Sequence, residues 1–310
     1  MLRIIYMGSP EFAIPGLEKI HDSGHKVLAV ASNPDKRRGR GGGTSPTPVK
    51  EKALELGIPV IDVKSTGDPA FADRLHELDP DLLVVVAFRI LPPEILEIPR
   101  LGAINLHASL LPKYRGAAPI HWAVMNGEKK TGCTVFFLDQ DVDTGEIISQ
   151  VETPIGPNET TGEVYERLKK IGSDLLLNTI DQIEEGNVQT LPQENKRATP
   201  APKLYASDAQ LDFSKPAIIV HNKIRGLSPF PTAWTTYKGE KLNIYRSMMG
   251  PLIQLQPAEL AVWNHQLLAG CSPGTVNLLE VQLPGKNRMK GIDFANGYDL
   301  DVRLGQDELK

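Results

Sequence analysis

Polar side chains with a two-residue spacing occur between residues 105 and 119 of the 310-residue sequence. On a β-strand, Asn105 and His107 would point to the same face, because alternate side chains share a face. An amide donor and an imidazole on one face could stabilise an oxyanion, and the imidazole could also transfer a proton. Asp143, in a turn-like sequence further on, is the best candidate for a carboxylate that orients His107. By spacing alone, ordinary hydrogen-bonding roles are more common for such residues.

The sequence KRRGRGGG at residues 36–43 is basic and glycine-rich, in a chain whose formal net charge is -4. Arginine side chains offer planar forks that suit phosphate groups, and glycines let the backbone bend into a groove. Charge alone is equally compatible with a solvated surface loop. A local basic cluster in an acidic chain is, however, typical of a localised RNA contact. The candidate phosphate-binding residues are Lys36, Arg37, Arg38 and Arg40.

The elements that must position these residues alternate between strands and helices in the first half of the chain. A helix is predicted to begin near Ser9, because serine caps helices and the following Pro10 suits the first turn. The unbroken apolar run Leu82–Phe88 is typical of a strand buried on both faces. This alternation predicts an α/β fold with a doubly wound, mostly parallel sheet, in which ligands bind at the carboxyl ends of the strands. The predicted strands are 2–7, 27–31, 58–61, 82–88, 102–107, 133–138 and 146–151, and the last two are expected to be antiparallel.

The composition changes after residue 185. A long amphipathic helix from Thr160 to about Glu185 is predicted to complete the first domain. Residues 186–204 are polar and contain Pro192, Pro200 and Pro202, which indicates a linker. Short strand-like runs follow, and they favour a small β-barrel. We therefore predict a catalytic domain over residues 1–185, a linker over 186–204 and a C-terminal β-barrel domain over 205–310.

Several classes of protein are excluded by the sequence. The turn Gly8–Glu11 lacks the later glycines of a dinucleotide-binding fingerprint, and a pyrophosphate would meet Glu11 there. Cys133 and Cys271 are the two cysteines and lie far apart, so neither a disulfide framework nor a cysteine metal site is predicted. No apolar run is long enough to span a membrane. We expect a cytoplasmic protein that binds no membrane.

Several separated motifs together carry a resemblance to a known family. Asn105, His107 and residues 109–119, with Asp139–Glu146, closely resemble the signature of the folate-dependent formyltransferases. Supporting stretches are MGSPEFAIP at the start, IRGLSPFP at residues 224–231 and NRMKGIDFANG near the end. These matches stand in the family's order along almost the whole chain, which makes them far more specific than any single motif. The resemblance implies a Rossmann-like formyltransferase domain followed by an OB-like β-barrel.

The resemblance also implies a folate co-substrate, 10-formyltetrahydrofolate, and roles for residues around it. Asn105, His107 and Asp143 match the family's catalytic residues. Two segments match the backbone that lines the family's folate site, namely Ser109, Leu110, Leu111 and Pro112, and Phe88, Arg89, Ile90 and Leu91. The second segment departs from the family pattern. Relatives usually have a glycine and one more residue between the aromatic residue and Ile-Leu-Pro, so this loop is one residue shorter.

The acceptor implied by the resemblance is the free amino group of methionyl initiator tRNA. Arg40 matches an arginine in the family's loop that contacts the acceptor stem, and the C-terminal barrel is implied to bind tRNA as well. No protein-bound metal is expected, because no cluster of His, Cys and Asp has the spacing of metal ligands. We expect the chain to be a monomer.

Four alternatives remain open at the level of the sequence. Formyltransferases that act on a glycinamide nucleotide usually lack a second domain, and those that act on a nucleotide-linked amino sugar lack the basic glycine-rich segment. A 10-formyltetrahydrofolate hydrolase would share the three candidate catalytic residues but transfer the formyl group to water. A non-catalytic RNA-binding module would not need Asn105, His107 and Asp143 together.

Overall fold

The computed structural model describes residues 1–37 and 43–307, so the predicted tRNA contacts Arg38 and Arg40 lie outside the described residues. The chain divides into two compact units. The first comprises Met1–Gly116, Gly132–Thr153 and Glu166–Pro200, and the second comprises Ala117–Thr131, Pro154–Tyr165 and Ala201–Lys310. Two segments from inside the predicted catalytic domain therefore group with the C-terminal residues.

A seven-stranded sheet forms the centre of the first unit. Strands β1 to β9 are Arg3–Gly8, Lys26–Ser32, Lys36–Arg37, Thr44–Ser45, Val60–Asp62, Leu82–Val86, Ala103–His107, Lys130–Phe137 and Ile147–Pro154. The order in the sheet is β5-β2-β1-β6-β7-β8-β9, while β3 and β4 form a separate antiparallel pair. Along this order, every neighbouring pair from β5 through β2, β1 and β6 to β7 is parallel, and β7 pairs with β8 in antiparallel fashion. The predicted mostly parallel, doubly wound sheet is confirmed.

Helices cover both faces of this sheet. The helices up to residue 185 are α1 (Ile14–His21), α2 (Pro48–Glu55), α3 (Pro69–Leu78), α4 (Pro93–Leu96), α5 (Pro119–Met125) and α6 (Thr161–Glu185), and of these α5 and the first residues of α6 belong to the second unit. Phe71 and Leu75 of α3 share one core cluster with alternate residues of β1 and β6. On the other face, Gly16 of α1 lies close to both Tyr6 of β1 and Leu176 of α6. Two-faced burial explains why β6 is the continuous apolar run LLVVV with every residue buried.

Local sequence explains where two of these helices begin. The hydroxyl of Thr47 accepts a hydrogen bond from the backbone N–H of Lys50 and caps α2. The carboxylate of Asp68 caps α3 in the same way through Ala70. Each capping residue is followed by a proline at the first helical position, where the missing N–H is not needed. These signals fix where α2 and α3 begin after β4 and β5.

The second unit is built on an antiparallel sheet packed against helices. Its elements are α7 (Ala217–Gly226), β10 (Ala233–Tyr237), β11 (Glu240–Met249), β12 (Leu260–Trp263), β13 (Gln266–Gly270), β14 (Thr275–Gln282), β15 (Met289–Lys290) and α8 (Gly291–Gly297). The strand order is β10-β11-β14-β13-β12, with β15 paired to β14. Ile224 of α7 and Phe294 of α8 are fully buried in its core. The predicted short strands are present, whereas an OB-like barrel stays a prediction.

Neither cysteine is placed for chemistry. Both are free and buried, and burial raises the pKa of the Cys133 and Cys271 thiols to about 12. Both thiols therefore stay protonated near neutral pH and are poor nucleophiles. In the part of the chain that the structure describes, no helix is long and apolar enough to cross a membrane.

Gly132 in β8 provides a test of how tightly the edge of the first sheet is packed. A Cβ at this position would overlap the backbone carbonyl of Val151 in β9 and contact the side chain of Leu110. We expect Gly132→Ala to lower the free energy of unfolding by about 1–3 kcal/mol in urea titrations. Gly24→Ala is the control, because nothing lies within 4 Å of its Cβ position, and it should change stability by less than about 0.5 kcal/mol. Equal stability of the two variants would contradict this packing.

Candidate active site

Asn105 and His107 lie on β7, the strand between β6 and β8, and His107 is the last residue of that strand. In the sheet, Asn105 is aligned with Val85 of β6 and Phe136 of β8. Their two-residue separation places both side chains on one face, as predicted from the sequence. No described residue forms a hydrogen bond with the Asn105 side chain, which is half-buried. Its amide is therefore available to a ligand at this strand end.

His107 is held by a hydrogen bond that the sequence does not predict. Its Nε2 lies 2.8 Å from the carbonyl oxygen of Tyr114, and because a carbonyl only accepts, Nε2 carries the proton. The Nδ1 atom lies 3.7 Å from Oδ2 of Asp143. That distance is too long for a hydrogen bond, but the two groups form an ion pair when the imidazole is protonated. The arrangement fixes the ring and leaves Nδ1 as the nitrogen that can gain or lose a proton.

Asp143 lies in the loop between β8 and β9, with a left-handed backbone at φ 56°. Its Oδ2 accepts a hydrogen bond of 2.8 Å from the backbone N–H of Gly116. The amide of Gln193 donates to the carbonyl oxygens of Asp143 and Gly145, at 2.9 and 2.8 Å. A Cβ at Gly145 would overlap the carbonyl of Phe137, so the loop also needs glycine there. The loop is thus held from both sides, and it brings Asp143 to His107.

The segment Ser109–Pro112, predicted to line the folate site, follows β7 directly. The buried Ser109 hydroxyl donates to the carbonyl of Lys113 at 2.6 Å. Thr134 of β8 donates to the Ser109 carbonyl at 2.7 Å and accepts from the N–H of Leu111 at 3.1 Å. Gln150 of β9 donates to the Leu111 carbonyl at 2.9 Å. Side chains from the two neighbouring strands therefore fix the backbone of this segment.

Residues Phe88 to Leu91, the other predicted folate segment, follow β6. Phe88 packs against the core and Leu91 is buried, whereas 70% of Ile90 is exposed. Arg89 donates from Nε to Oδ1 of Asn33 at 2.6 Å and from Nη1 to the Lys64 carbonyl at 2.5 Å. Because β6 and β7 are parallel neighbours, both predicted folate segments begin at the carboxyl ends of the strands, on the same side of the sheet.

The basic segment begins on a described strand pair. Lys36 is exposed, and the backbones of Lys36 and Arg37 in β3 pair with Ser45 and Thr44 in β4. Lys50 Nζ lies 2.8 Å from a carboxylate oxygen of Asp35, immediately before β3, and 2.8 Å from one of Asp62. The hydrogen bond to Asp35 makes the largest contribution to raising the pKa of Lys50, and the hydrogen bond to Asp62 makes the next largest. These contacts anchor the start of the segment that the sequence predicts to bind RNA.

Reasoning from the sequence did not identify four residues that support this site. Thr134 stands opposite His107 in the β7–β8 register, so the predicted neighbouring strands carried a partial signal for it. Gln150 and Gln193 act through contacts between distant parts of the chain, and Tyr114 acts through its backbone carbonyl, so no side-chain pattern indicates these three residues. Within residues 1–37 and 43–307, no group of three or more His, Cys, Asp and Glu could hold a metal ion.

Comparison with protein families agrees with this geometry. The sequence model of the family described as "Formyl transferase" matches residues 2–180, and that of "Formyl transferase, C-terminal domain" matches residues 203–299. The chain belongs to the formyl transferase family. The first match contains the whole candidate site except Gln193, and the second contains the antiparallel sheet of the second unit. The family resemblance seen in the sequence is confirmed.

Individual members of the formyl transferase family resemble this chain over nearly its whole length. A methionyl-tRNA formyltransferase of Chlorobium luteolum is 44% identical over 308 residues, covering 97% of this chain and 98% of that protein. One of Alkaliphilus oremlandii is 43% identical over 303 residues, covering 97% and 98% respectively. Among solved structures, a sugar 3N-formyl transferase in the presence of dTDP and 5-N-formyl-THF has a TM-score of 0.70. It is 20% identical and covers 93% of this chain and 99% of that chain, which supports the shared fold.

Proposed function

We propose that this chain transfers the formyl group of 10-formyltetrahydrofolate to the free amino group of methionyl initiator tRNA, for translation initiation. The observation that carries the proposal is the end-to-end similarity to methionyl-tRNA formyltransferases, such as the two at 44% and 43% identity, which spans both units. The candidate site agrees with acyl transfer, because an amide, an imidazole and a carboxylate meet at the carboxyl end of the sheet. The proposed place of action is the cytoplasm, and the proposed state is a monomer.

The proposed mechanism assigns one task to each of the three candidate catalytic residues. The methionyl amine attacks the formyl carbon as the neutral base, which forms a C–N bond and places negative charge on the formyl oxygen. Asn105 and protonated His107 stabilise that oxyanion, and a donor of this kind commonly contributes about 3 kcal/mol. The C–N10 bond to the folate then breaks as a proton moves from the amine to N10. His107 gives its Nδ1 proton to N10 and takes the proton that the amine loses, so the imidazole, with Asp143 beside it, returns to its protonated form.

The folate is proposed to bind along the backbone of Ser109–Pro112 and the loop Phe88–Leu91. The hydrogen bonds of Thr134 and Gln150 support this assignment, because they fix peptide groups beside β7 before any ligand arrives. Such preorganisation favours binding of a flat, polar ring system at defined backbone positions. The sugar formyl transferase with the same fold was solved in the presence of 5-N-formyl-THF, which supports a folate as the co-substrate of this chain.

The tRNA is proposed to contact Lys36, Arg37, Arg38 and Arg40 and the C-terminal domain. The proposed domains are residues 1–185 for catalysis and 205–310 for tRNA binding, joined by a linker over 186–204.

An OB-like barrel is proposed for the C-terminal domain, because residues after α8 connect its two edge strands. The N–H of Leu304 donates to the Ala258 carbonyl just before β12, and that of Gly305 donates to Thr236 of β10. This segment lies where a barrel would close.

Simultaneous replacement of Arg37, Arg38 and Arg40 by alanine is expected to weaken binding of methionyl-tRNA and leave direct binding of the folate unchanged. Each lost phosphate contact should flatten the plot of log affinity against log salt concentration by about 0.7 to 0.9. Titrations at several salt concentrations measure both quantities. Alanine at Lys19, a half-buried residue that pairs with Asp174, is a control that should change neither. Unchanged tRNA affinity with an unchanged slope would contradict the assigned role.

A comparison of acceptors tests the proposed function against its rivals. Purified protein is given 10-formyltetrahydrofolate with methionyl initiator tRNA, a glycinamide ribonucleotide, a dTDP-linked amino sugar, or water alone. We expect formyl transfer to the tRNA to exceed transfer to every other acceptor, and release of free formate without tRNA to be slow. Preferred transfer to either nucleotide, or equal formate release with and without tRNA, would overturn the proposal.

A further inference from the structure

The basic segment is anchored at both ends by polar contacts at the carboxyl ends of β1 and β2. Asn33, which follows β2, donates to the hydroxyl of Ser9 from its backbone N–H at 3.2 Å and from Nδ2 at 2.8 Å. The hydroxyls of Ser32 and Thr47 lie 2.6 Å apart in a buried contact. Asn33 lies shortly before β3 and Thr47 lies shortly after β4. The two ends of the basic segment, which we call its root, are therefore fixed to the sheet.

Arg89 connects this root to the predicted folate loop. Its guanidinium bonds Asn33 and the Lys64 carbonyl at once, at 2.6 and 2.5 Å, although Asn33 is 56 residues away in sequence. The loop around Arg89 is itself held, because the Thr66 hydroxyl donates to the Ile90 carbonyl at 2.9 Å and Leu91 is buried. Through Arg89, a displacement of either the folate loop or the root of the basic segment is transmitted to the other.

We propose that Arg89 and Asn33 are positioning residues that couple the two substrate sites, so that folate and tRNA each tighten the binding of the other. The proposal rests on the proposed function, which assigns the loop at residues 88–91 to folate and the basic segment to tRNA. A ligand that shifts one end of the Arg89–Asn33 link also shifts the other, so the second ligand meets a site that is already in its bound arrangement. Such coupling is reciprocal by thermodynamic necessity.

The identity of residue 89 matters for this link. A planar guanidinium can donate from Nε and Nη1 in two fixed directions at once, whereas the ammonium of lysine cannot reproduce that fork.

Binding measurements on the full chain test the coupling. The dissociation constant of 5-formyltetrahydrofolate, a probe with its formyl group on N5, is measured by calorimetry with and without saturating methionyl-tRNA. We expect the tRNA to lower that constant by at least about fivefold in the natural sequence. In Arg89→Gly, Arg89→Lys and Asn33→Ala the ratio of the two constants should fall to near one. Arg74→Ala, which removes an exposed arginine paired with Glu77, should keep the ratio of the natural sequence.

A general loss of stability would weaken binding in both titrations and leave the ratio unchanged, so the ratio separates positioning from folding. A ratio of one in the natural sequence, or a full ratio retained in Arg89→Gly or Arg89→Lys, overturns the coupling. These outcomes are distinct from failure of the proposed function. A chain that formylates methionyl-tRNA normally but shows no coupling refutes only this inference, whereas absence of any transfer to methionyl-tRNA refutes the function on which it rests.

Discussion

Replacing His107 by alanine is expected to lower kcat for formyl transfer to methionyl-tRNA by at least about a hundredfold. The variant loses the group assigned to proton transfer and one of the two assigned oxyanion donors, so the chemical step suffers more than binding. Asn105→Ala should have an effect of similar size, because it removes the other donor. The quantities to measure are kcat and KM in steady state, together with direct folate binding.

The fold should survive the His107 substitution. The substitution removes the hydrogen bond between the ring and the Tyr114 carbonyl, and loss of a buried hydrogen bond of this kind costs about 1–3 kcal/mol. Circular dichroism and thermal unfolding check this point. His76→Ala, on the exposed side of α3, is the matched control and should keep full activity. Near-full activity of His107→Ala would show that the imidazole takes no part in the reaction.

Replacing Asp143 by asparagine is expected to lower kcat by at least about a hundredfold while preserving the structure of the loop. Asparagine tolerates the left-handed backbone at φ 56°, and its amide oxygen can still accept from the N–H of Gly116. The substitution therefore removes the negative charge beside His107 Nδ1 and little else. Steady-state kinetics and the melting temperature measure the two effects separately.

Two further variants define what Asp143 contributes. Asp141→Asn changes an exposed carboxylate two residues away in the same loop and should leave kcat unchanged. Asp143→Ala loses both the charge and the acceptor for Gly116, so it should be at least as impaired as the asparagine variant. If Asp143→Asn were fully active and Asp143→Ala inactive, the carboxylate would serve only as an anchor for the loop, and the assigned electrostatic role would be refuted.

The sheet and two of the catalytic candidates could be predicted from the sequence because the signals are local. The LLVVV run marks the buried strand β6, and a period of two places Asn105 and His107 on one face of β7. The long amphipathic pattern likewise predicts α6, which the structure places at Thr161–Glu185. Each of these inferences needs only the repeat of a regular element and the burial of its apolar side chains.

The contacts that complete the site could not be predicted, because they join residues far apart in sequence. Gln193 reaches Asp143 across 50 residues, and Arg89 reaches Asn33 across 56. The grouping of residues 117–131 and 154–165 with the C-terminal residues could not be predicted for the same reason. The IRGLSPFP motif packs against earlier segments of the second unit, since the Gly226 carbonyl accepts from the Thr161 hydroxyl and a Cβ at Gly226 would overlap Met125. Polar residues in loops carry no periodic signal that would reveal such partners.

The most direct measurement follows a label from the formyl group of 10-formyltetrahydrofolate into acid-precipitable methionyl initiator tRNA, with the purified protein and each component omitted in turn. The proposed function predicts rapid incorporation that requires protein, folate and aminoacylated tRNA together, and recovery of the label on the methionine amino group after hydrolysis of the ester. It also predicts that His107→Ala lowers this rate by at least about a hundredfold. Label that appears only as free formate, or incorporation that is unaffected by loss of His107, would contradict it.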